Sequence, residues 1–351
     1  MNGKSRLWTS DIDRVIAVLP ELDELAGQCV LITGACGLIC SAVVDLFVRY
    51  NETHQRTIHI LAAARSEEKT RTRFGDCFEK EYFDYIPYDA EKEITGIAYQ
   101  VDYIIHGASN ASPNKIMAEP VETMVSNFAG LLRLLQFAKS NGTRRVLFIS
   151  SSEVYGKKND DKSFREDEFG YINLLDPRNS YSVGKRAAET LCVSFAKEYG
   201  ISVTIVRPGH IYGPTALKDD NRVSSAWMFM AARNENIVMK SSGSQIRSYC
   251  HCLDCASGII TVLLKGEDST AYNISNPDSV VSIRGMAELI AHSAGVKILS
   301  EQASEKEKAG FNPMSNSSLD STGLQGLGWR GLFDAPTGID HTIRIIRDIT
   351  E

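Results

Sequence analysis

Residues 29–40 read Cys29-Val30-Leu31-Ile32-Thr33-Gly34-Ala35-Cys36-Gly37-Leu38-Ile39-Cys40. The first five form a short apolar run rich in β-branched side chains, the mark of a strand covered on both faces. Two glycines three apart then permit a tight turn and let another group approach the backbone closely. From Leu38 to about Tyr50 apolar residues recur at helical spacing. Strand, glycine turn and helix in this order aim a helix N-terminus, with its free N–H groups and partial positive charge, at whatever the turn holds. The chemistry that fits is a pyrophosphate, with Gly34, Cys36, Gly37, Leu38 and Ile39 as the contacting positions. A third glycine is expected at position 40, where Cys40 stands. A thiol is small enough to keep helix and strand close.

Working outward, the alternation continues. Strands are expected at Thr57–Ala63, Asp102–His106, Arg145–Ser150 and Val203–Val206, and helices at Val121–Ser140 and Tyr181–Tyr199. Short apolar strands alternating with helices predict an α/β fold, a doubly wound parallel Rossmann sheet with helices on both faces. Residues 5–25 read as a small amphipathic helical preface, which sets 1–27 apart from a dinucleotide-binding domain over 28–207. Beyond Pro208 the pattern turns to Pro, Gly and polar loops with short helices at Ser224–Arg233 and Ile283–Ser293. Residues 208–351 are therefore expected to form mainly a smaller α/β substrate lobe, partly interleaved with the first, some of its segments returning to the sheet.

Composition narrows the function classes. The 351 residues are 43% hydrophobic and 23% charged with a net charge of −6, an ordinary globular balance that gives no reason to expect a nucleic-acid partner. The most apolar stretch, Cys29–Val48, is broken by Thr33, Gly34, Gly37 and Asp45, so no membrane span is expected. No basic start followed by an apolar core opens the chain, and the eight cysteines show no secretory spacing; reduced thiols and a cytoplasmic location follow as expectations. Cys250-His251-Cys252-Leu253-Asp254-Cys255 offers one metal knuckle where a structural zinc site pairs two, so no metal is expected.

Two further motifs carry chemistry. Ile149-Ser150-Ser151-Ser152-Glu153-Val154-Tyr155-Gly156 places three hydroxyls and a carboxylate at the mouth of a buried strand. Tyr181 and Lys185 lie one turn apart on one helix face. An ammonium beside a phenol is expected to lower the phenol's pKa from about 10 towards neutrality, giving a base that takes a hydroxyl proton as a nicotinamide oxidises the same carbon. The second strand ends in Ala64-Arg65-Ser66, without the carboxylate that binds an NAD ribose, so Arg65 inclines the cofactor towards NADP and its 2′-phosphate. Asp89, after another short apolar stretch, is placed to reach the adenine amino group.

Together the motifs resemble the extended short-chain dehydrogenase/reductase family, the NAD-dependent epimerases and dehydratases, over roughly residues 28–350. The carriers are TGACGLIC, HGAS at 106–109, ISSSEVYG, YSVGK, RPGHIYGP at 207–214 and SQIRSYCHCLD at 244–254. The resemblance implies a sugar-nucleotide substrate, a bound nicotinamide cofactor (here favouring NAD) contacted also by Ala108, Tyr181 and Lys185, and a homodimer formed through helices at about 120–140 and 181–199. The loop from Phe169 to Tyr181 is similar to that of UDP-glucuronate decarboxylases. That likeness gives Ser151 the sugar 4-hydroxyl and Glu153 the place of the decarboxylase glutamate. Ser152 stands where 4,6-dehydratases carry an aspartate acid. Arg247, with Arg178 and Arg222 behind it, is a candidate for the substrate's anionic groups, and Ser109 and Ser152 for its sugar. His210 stands where the family has an asparagine. A 4-epimerase or 4,6-dehydratase is the neighbouring alternative. A catalytically silent nucleotide-binding scaffold is the alternative of another class, against which the intact Ser151, Glu153, Tyr181 and Lys185 set argues.

Overall fold

The computed structural model describes residues 5–158, 160–304 and 314–350. Helix α1 (Arg6–Ala17) leads into β1 (Cys29–Thr33) and α2 (Leu38–Thr53), then β2 (His59–Ala64), α3 (Glu67–Phe74), β3 (Phe83–Pro87) and β4 (Tyr103–His106). Helices α4 (Pro113–Ala118) and α5 (Pro120–Asn141) follow, then β5 (Arg145–Ile149), α6 (Ser180–Tyr199) and β6 (Ser202–Pro208). Past Pro208 come β7 (His210–Tyr212), α7 (Val223–Ala232), β8 (Ile237–Met239), β9 (Ile246–His251), α8 (Cys252–Lys265) and β10 (Ala271–Ile274). The remainder holds β11 (Val280–Ser282), α9 (Ile283–Ala294), β12 (Ile298–Ser300), β13 (Asn316–Ser317), α10 (Thr322–Gly326) and α11 (Ala335–Thr350).

Seven strands form one parallel sheet in the order β10-β6-β5-β4-β1-β2-β3. All five residues of β1 are buried, because helices cover both faces of the sheet. Chain order reverses between β1 and β4, and the carboxyl ends of these strands open the crevice where a doubly wound sheet binds its ligand. Beyond the sheet, β9 pairs with β7, β11 and β13, and β8 with β12. These small ladders stand next to the crevice because β7 leaves β6 after only Gly209.

Helix α1 is anchored in the same core as α2 and α8. Ser5 caps it by accepting from the Trp8 N–H. Trp8 is fully buried and its indole N–H donates to Asp45 at 3.0 Å. Ile12 and Val15 join that core, while Asp11 meets His341 of α11 at 2.9 Å. The Cys250–Cys255 run is the end of β9 and the start of α8. His251 Nδ1 accepts the Leu253 N–H and caps the helix. The buried Asp254 carboxylate accepts N–H groups from Leu332 and Phe333 at 2.8 and 3.1 Å. All eight cysteines lie among the described residues and are unpaired. No His/Cys/Asp/Glu group among the described residues has a metal-holding arrangement, and no described helix is long and apolar enough to cross a membrane.

Since Trp8 both fills the core and satisfies Asp45, Trp8→Ala is expected to destabilise the protein by about 3–5 kcal/mol, read by equilibrium urea unfolding; Trp8→Phe, which keeps most of the volume, is expected to cost less.

Candidate active site

The turn after β1 has the shape its sequence predicts. Gly34 sits at φ +72°, and a Cβ there would lie 2.9 Å from the Ala108 nitrogen, so the turns after β1 and β4 touch backbone to backbone. Thr33 Oγ1 accepts the Ala108 N–H at 3.3 Å and bonds His106 Nδ1 at 2.7 Å, tying the two strand ends. No side chain caps α2 at Gly37, and the Ser41 N–H is the first to return to the Gly37 carbonyl. The N–H groups of Leu38, Ile39 and Cys40 are thereby left without helical partners. A bare helix N-terminus behind a glycine turn fits a dinucleotide pyrophosphate. Cys40 is tolerated for a local reason: a Cβ on Gly107 would stand 2.3 Å from its Sγ, so the missing side chain at 107 makes the room a third glycine would give. The Cys36 thiol bonds Thr70 of α3 at 3.3 Å.

Arg65 is exposed just past β2, beside Ser66, which caps α3. Asp89 is turned to local work: Oδ1 accepts the Glu91 N–H at 3.1 Å and its carboxylate lies 3.6 Å from Lys92 Nζ.

Tyr181 and Lys185 are brought together as expected, both buried in the first two turns of α6. Lys185 Nζ donates to the Ile149 carbonyl at 2.8 Å, and stands 4.6 Å from the Phe148 ring centroid and 5.8 Å from that of Tyr181. The expected lowering of the phenol's pKa is not found. Burial, then the Glu153 charge, push Tyr181 above the ordinary tyrosine range; a hydrogen bond with Ser151 and the Arg222 charge pull it back by less. The physical reason is shared dehydration: burial also brings Lys185 down to about 7, so its ammonium is only partly populated at neutral pH and holds the phenolate weakly.

Ser151 opens the short 3₁₀ helix Ser152–Tyr155 and its Oγ accepts the Glu153 N–H at 3.2 Å. Glu153 Oε2 accepts from Arg178 Nη1 and from Ser182 Oγ, each at 3.4 Å. Arg178 is thus engaged with Glu153, on a one-turn 3₁₀ helix that Asp176 caps. Ser109 Oγ donates to the buried Asn127 of α5 at 3.0 Å. Ser152 lies half-buried at the start of the 3₁₀ helix.

The facing wall comes from β7, β9 and the start of α7. Arg247 is 2% exposed and donates to the carbonyls of Ile246 and Met314 at 2.8 and 3.2 Å; among the described residues no carboxylate pairs with it. Arg222 instead forks onto Asp220. The His210 ring lies 5.7 Å from that of Tyr249. Its Nδ1 is buried with no hydrogen-bond partner among the described residues. Burial and the charges of Arg247 and Arg222 press it to about 3, so His210 is neutral. A buried arginine without an acid is a costly arrangement that a bound anion relieves.

Three residues escaped the sequence reading. His106, inside HGAS, is neutral with a pKa of about 3, through burial and then the Lys185 charge. Glu189 and Arg207 form a buried ion pair at 2.7 Å behind β5. Glu189 was legible as the acid one turn beyond Lys185 on the same face; Arg207, at the end of an apolar strand, carried no spacing signal.

The model of the NAD dependent epimerase/dehydratase family matches residues 30–275. The chain belongs to that family. Among its relatives, UDP-glucuronic acid decarboxylase 3 of Arabidopsis thaliana is 33% identical over 276 residues, covering 77% of each protein. UDP-glucuronic acid decarboxylase 1 of Xenopus tropicalis is 29% identical over 329 residues, 93% of this chain and 74% of that protein. The fold is shared with the UDP-glucose 4-epimerase of Thermotoga maritima, with a TM-score of 0.78 at 20% identity over 92% of this chain and all of that one. It is shared also with the UDP-glucuronic acid 4-epimerase of Bacillus cereus, with a TM-score of 0.75 at 17% identity over the same shares. The uncapped helix and glycine turn, the seat expected for a dinucleotide, lie within the matched residues.

The Cys40–Gly107 contact gives a sharp test of that seat. Gly107→Ala is expected to cost about 1–3 kcal/mol and to weaken cofactor retention; adding Cys40→Gly is expected to restore both, measured by thermal unfolding and nicotinamide fluorescence titration.

Proposed function

We propose that this protein decarboxylates a UDP-uronic acid, UDP-glucuronate first, by transient oxidation at C4. The observation that carries this reading is that Ser151 bonds Tyr181 and the Glu153 charge acts on it, one helical turn from Lys185, which holds the Ile149 carbonyl. Relatives named as UDP-glucuronic acid decarboxylases at 29–33% identity support it. So does Ser152, which supplies no strong acid where the resemblance gives dehydratases an aspartate.

Bound nicotinamide would supply a reversible electron acceptor at C4. The turn at 34–39 and Ala108 would hold its pyrophosphate side, and Tyr181 and Lys185 its reactive end. Tyr181 takes the C4 hydroxyl proton, with Ser151 bridging phenol and sugar. Lys185, when charged, stabilises the phenolate that does so. A ketone at C4 leaves the C6 carboxylate in the β position, so CO₂ departs with its electrons in an enolate. Glu153, kept beside the reacting carbons by Arg178 and Ser182, places a negative charge near the departing carboxylate and favours its loss as neutral CO₂. A proton added at C5, with return to C4 of the hydride removed in its oxidation and to its oxygen of the proton taken by Tyr181, would complete the product. Arg247 takes a substrate phosphate or the carboxylate, for which a guanidinium fork is suited. His210 donates one ring N–H to the sugar or its phosphate, and Ser109 lines the sugar side.

The family's dependence supports NAD, whereas Arg65 is the one feature that supports NADP. Exposed Val121, Met124, Val125 and Phe128 of α5, with Val193 of α6, support a homodimer through these helices. Eight unpaired thiols support a cytoplasmic location.

Mixing the protein with UDP-glucuronate and NAD is expected to release CO₂ and leave a UDP-pentose. Tyr181→Phe is expected to lose at least about 100-fold in turnover while mass spectrometry still finds cofactor bound. Inversion at C4 without CO₂ would indicate an epimerase, and a 4-keto-6-deoxy product from an NDP-glucose a dehydratase; either sinks the decarboxylase reading.

A further inference from the structure

Behind the reacting groups runs a buried polar chain that the steps above do not use. Ser150, the residue before Ser151, donates from Oγ to Glu189 Oε1 at 2.5 Å. Arg207 grips the same carboxylate with Nε on Oε1 at 2.9 Å and Nη2 on Oε2 at 2.7 Å. Arg207 Nη1 donates to Tyr155 Oη at 3.0 Å and to the Glu166 carbonyl at 2.8 Å. Tyr155 Oη donates to Asn273 Oδ1 on β10 at 2.6 Å, and Asn273 Nδ2 donates to the carbonyls of Phe164 and Asp320, each at 2.9 Å. Every side chain in this run is at least nine-tenths buried. The run joins the tip of β5, the 3₁₀ helix that carries Glu153, helix α6, and the segments 164–166 and 320.

Glu189 also lies one turn beyond Lys185 on α6, on the same face. The two side chains hold consecutive residues of one strand tip: Lys185 the Ile149 carbonyl, Glu189 the Ser150 hydroxyl. The groups acting on Lys185 are few. Cys40 of α2 and Cys192 of α6 are thiols that burial pushes up, so they are neutral. His106 of β4 is neutral, and Tyr181 is a protonated phenol in this state. Glu189 is therefore the one charged group among those acting on Lys185, with Arg207 compensating it from behind.

We propose that Glu189 is a positioning residue for the reaction: its carboxylate aligns the β5 tip that presents Ser151 and Glu153, and it sets the field in which the Tyr181–Lys185 pair exchanges its proton. This rests on the reading of Tyr181 and Lys185 as the reacting pair. Removing the negative charge disfavours the lysine ammonium, so Lys185 titrates at lower pH and the phenolate loses the cation that holds it.

The test uses the purified protein with its cofactor and needs no substrate. The Lys185 amine is titrated through the carbon-13 NMR shift of its ε-carbon in lysine-labelled protein, assigned against Lys185→Arg. Glu189→Gln is expected to move the midpoint by about one pH unit towards acid, whereas Glu189→Asp, which keeps the charge, is expected to restore most of it. Should Glu189→Gln fail to fold, Glu189→Gln with Arg207→Met removes the buried pair together and is expected to shift in the same direction. A variant that folds and titrates at the wild-type pH overturns the proposal and leaves Glu189 a structural clamp. Failure of the wild type to act on any sugar nucleotide would count against the function reading and leave this titration unaffected.

Discussion

Burial of Lys185 beside Tyr181 is the constraint from which the rest of the site follows. An ammonium placed in an apolar wall must find a partner, and Lys185 finds the Ile149 carbonyl at the end of β5. That bond, with the Glu189–Ser150 bond one turn further on, holds α6 against the strand whose next residues are the serines and Glu153. It also explains why the site rests with the phenol protonated: the desolvation that depresses the lysine raises the tyrosine. A pair strained against ionisation on both sides has the most to gain from a cation or hydroxyl arriving at the cleft.

Much of the fold was legible because its signals are local. The strand, glycine turn and helix at 29–53 follow from a covered apolar run, two glycines three apart and a 3.6-residue period. The parallel sheet follows from repetition of that unit. Strand β3 was harder to see: Phe83–Pro87 carries Asp84 and Tyr85 on a sheet edge, which blurs the pattern. The start of β2 slipped for a related reason, since Thr57 and Ile58 look like strand but Ile58 is held by the Asn51 side chain at the end of α2.

The candidate site divides along the same line. Residues at fixed spacing, Tyr181 with Lys185 and Ser151 with Glu153, were readable because helix and turn geometry brings them close. Glu189 with Ser150, and Arg207 with Tyr155, are separated by 39 and 52 positions and meet only through the sheet. Charge state was less legible still. Whether an ammonium lowers a neighbouring phenol depends on how much water both retain, and no spacing encodes that. Cys40 shows the opposite case: a departure from the glycine pattern that looks damaging in sequence is absorbed by Gly107, a residue 67 positions away.

The charges of the crevice finally argue for the kind of molecule it receives. Arg222 is matched by Asp220, Arg207 by Glu189 and Arg178 by Glu153. Arg247 has only carbonyl partners among the described residues, and next to it a neutral histidine keeps an unpartnered nitrogen. Protein interiors leave such groups unmatched only at a cost of some kcal/mol. The uncapped N-terminus of α2 and the guanidinium of Arg247, held by carbonyls alone among the described residues, are both suited to anions. A dinucleotide pyrophosphate suits the first, and the phosphates of the sugar nucleotide proposed above suit the second.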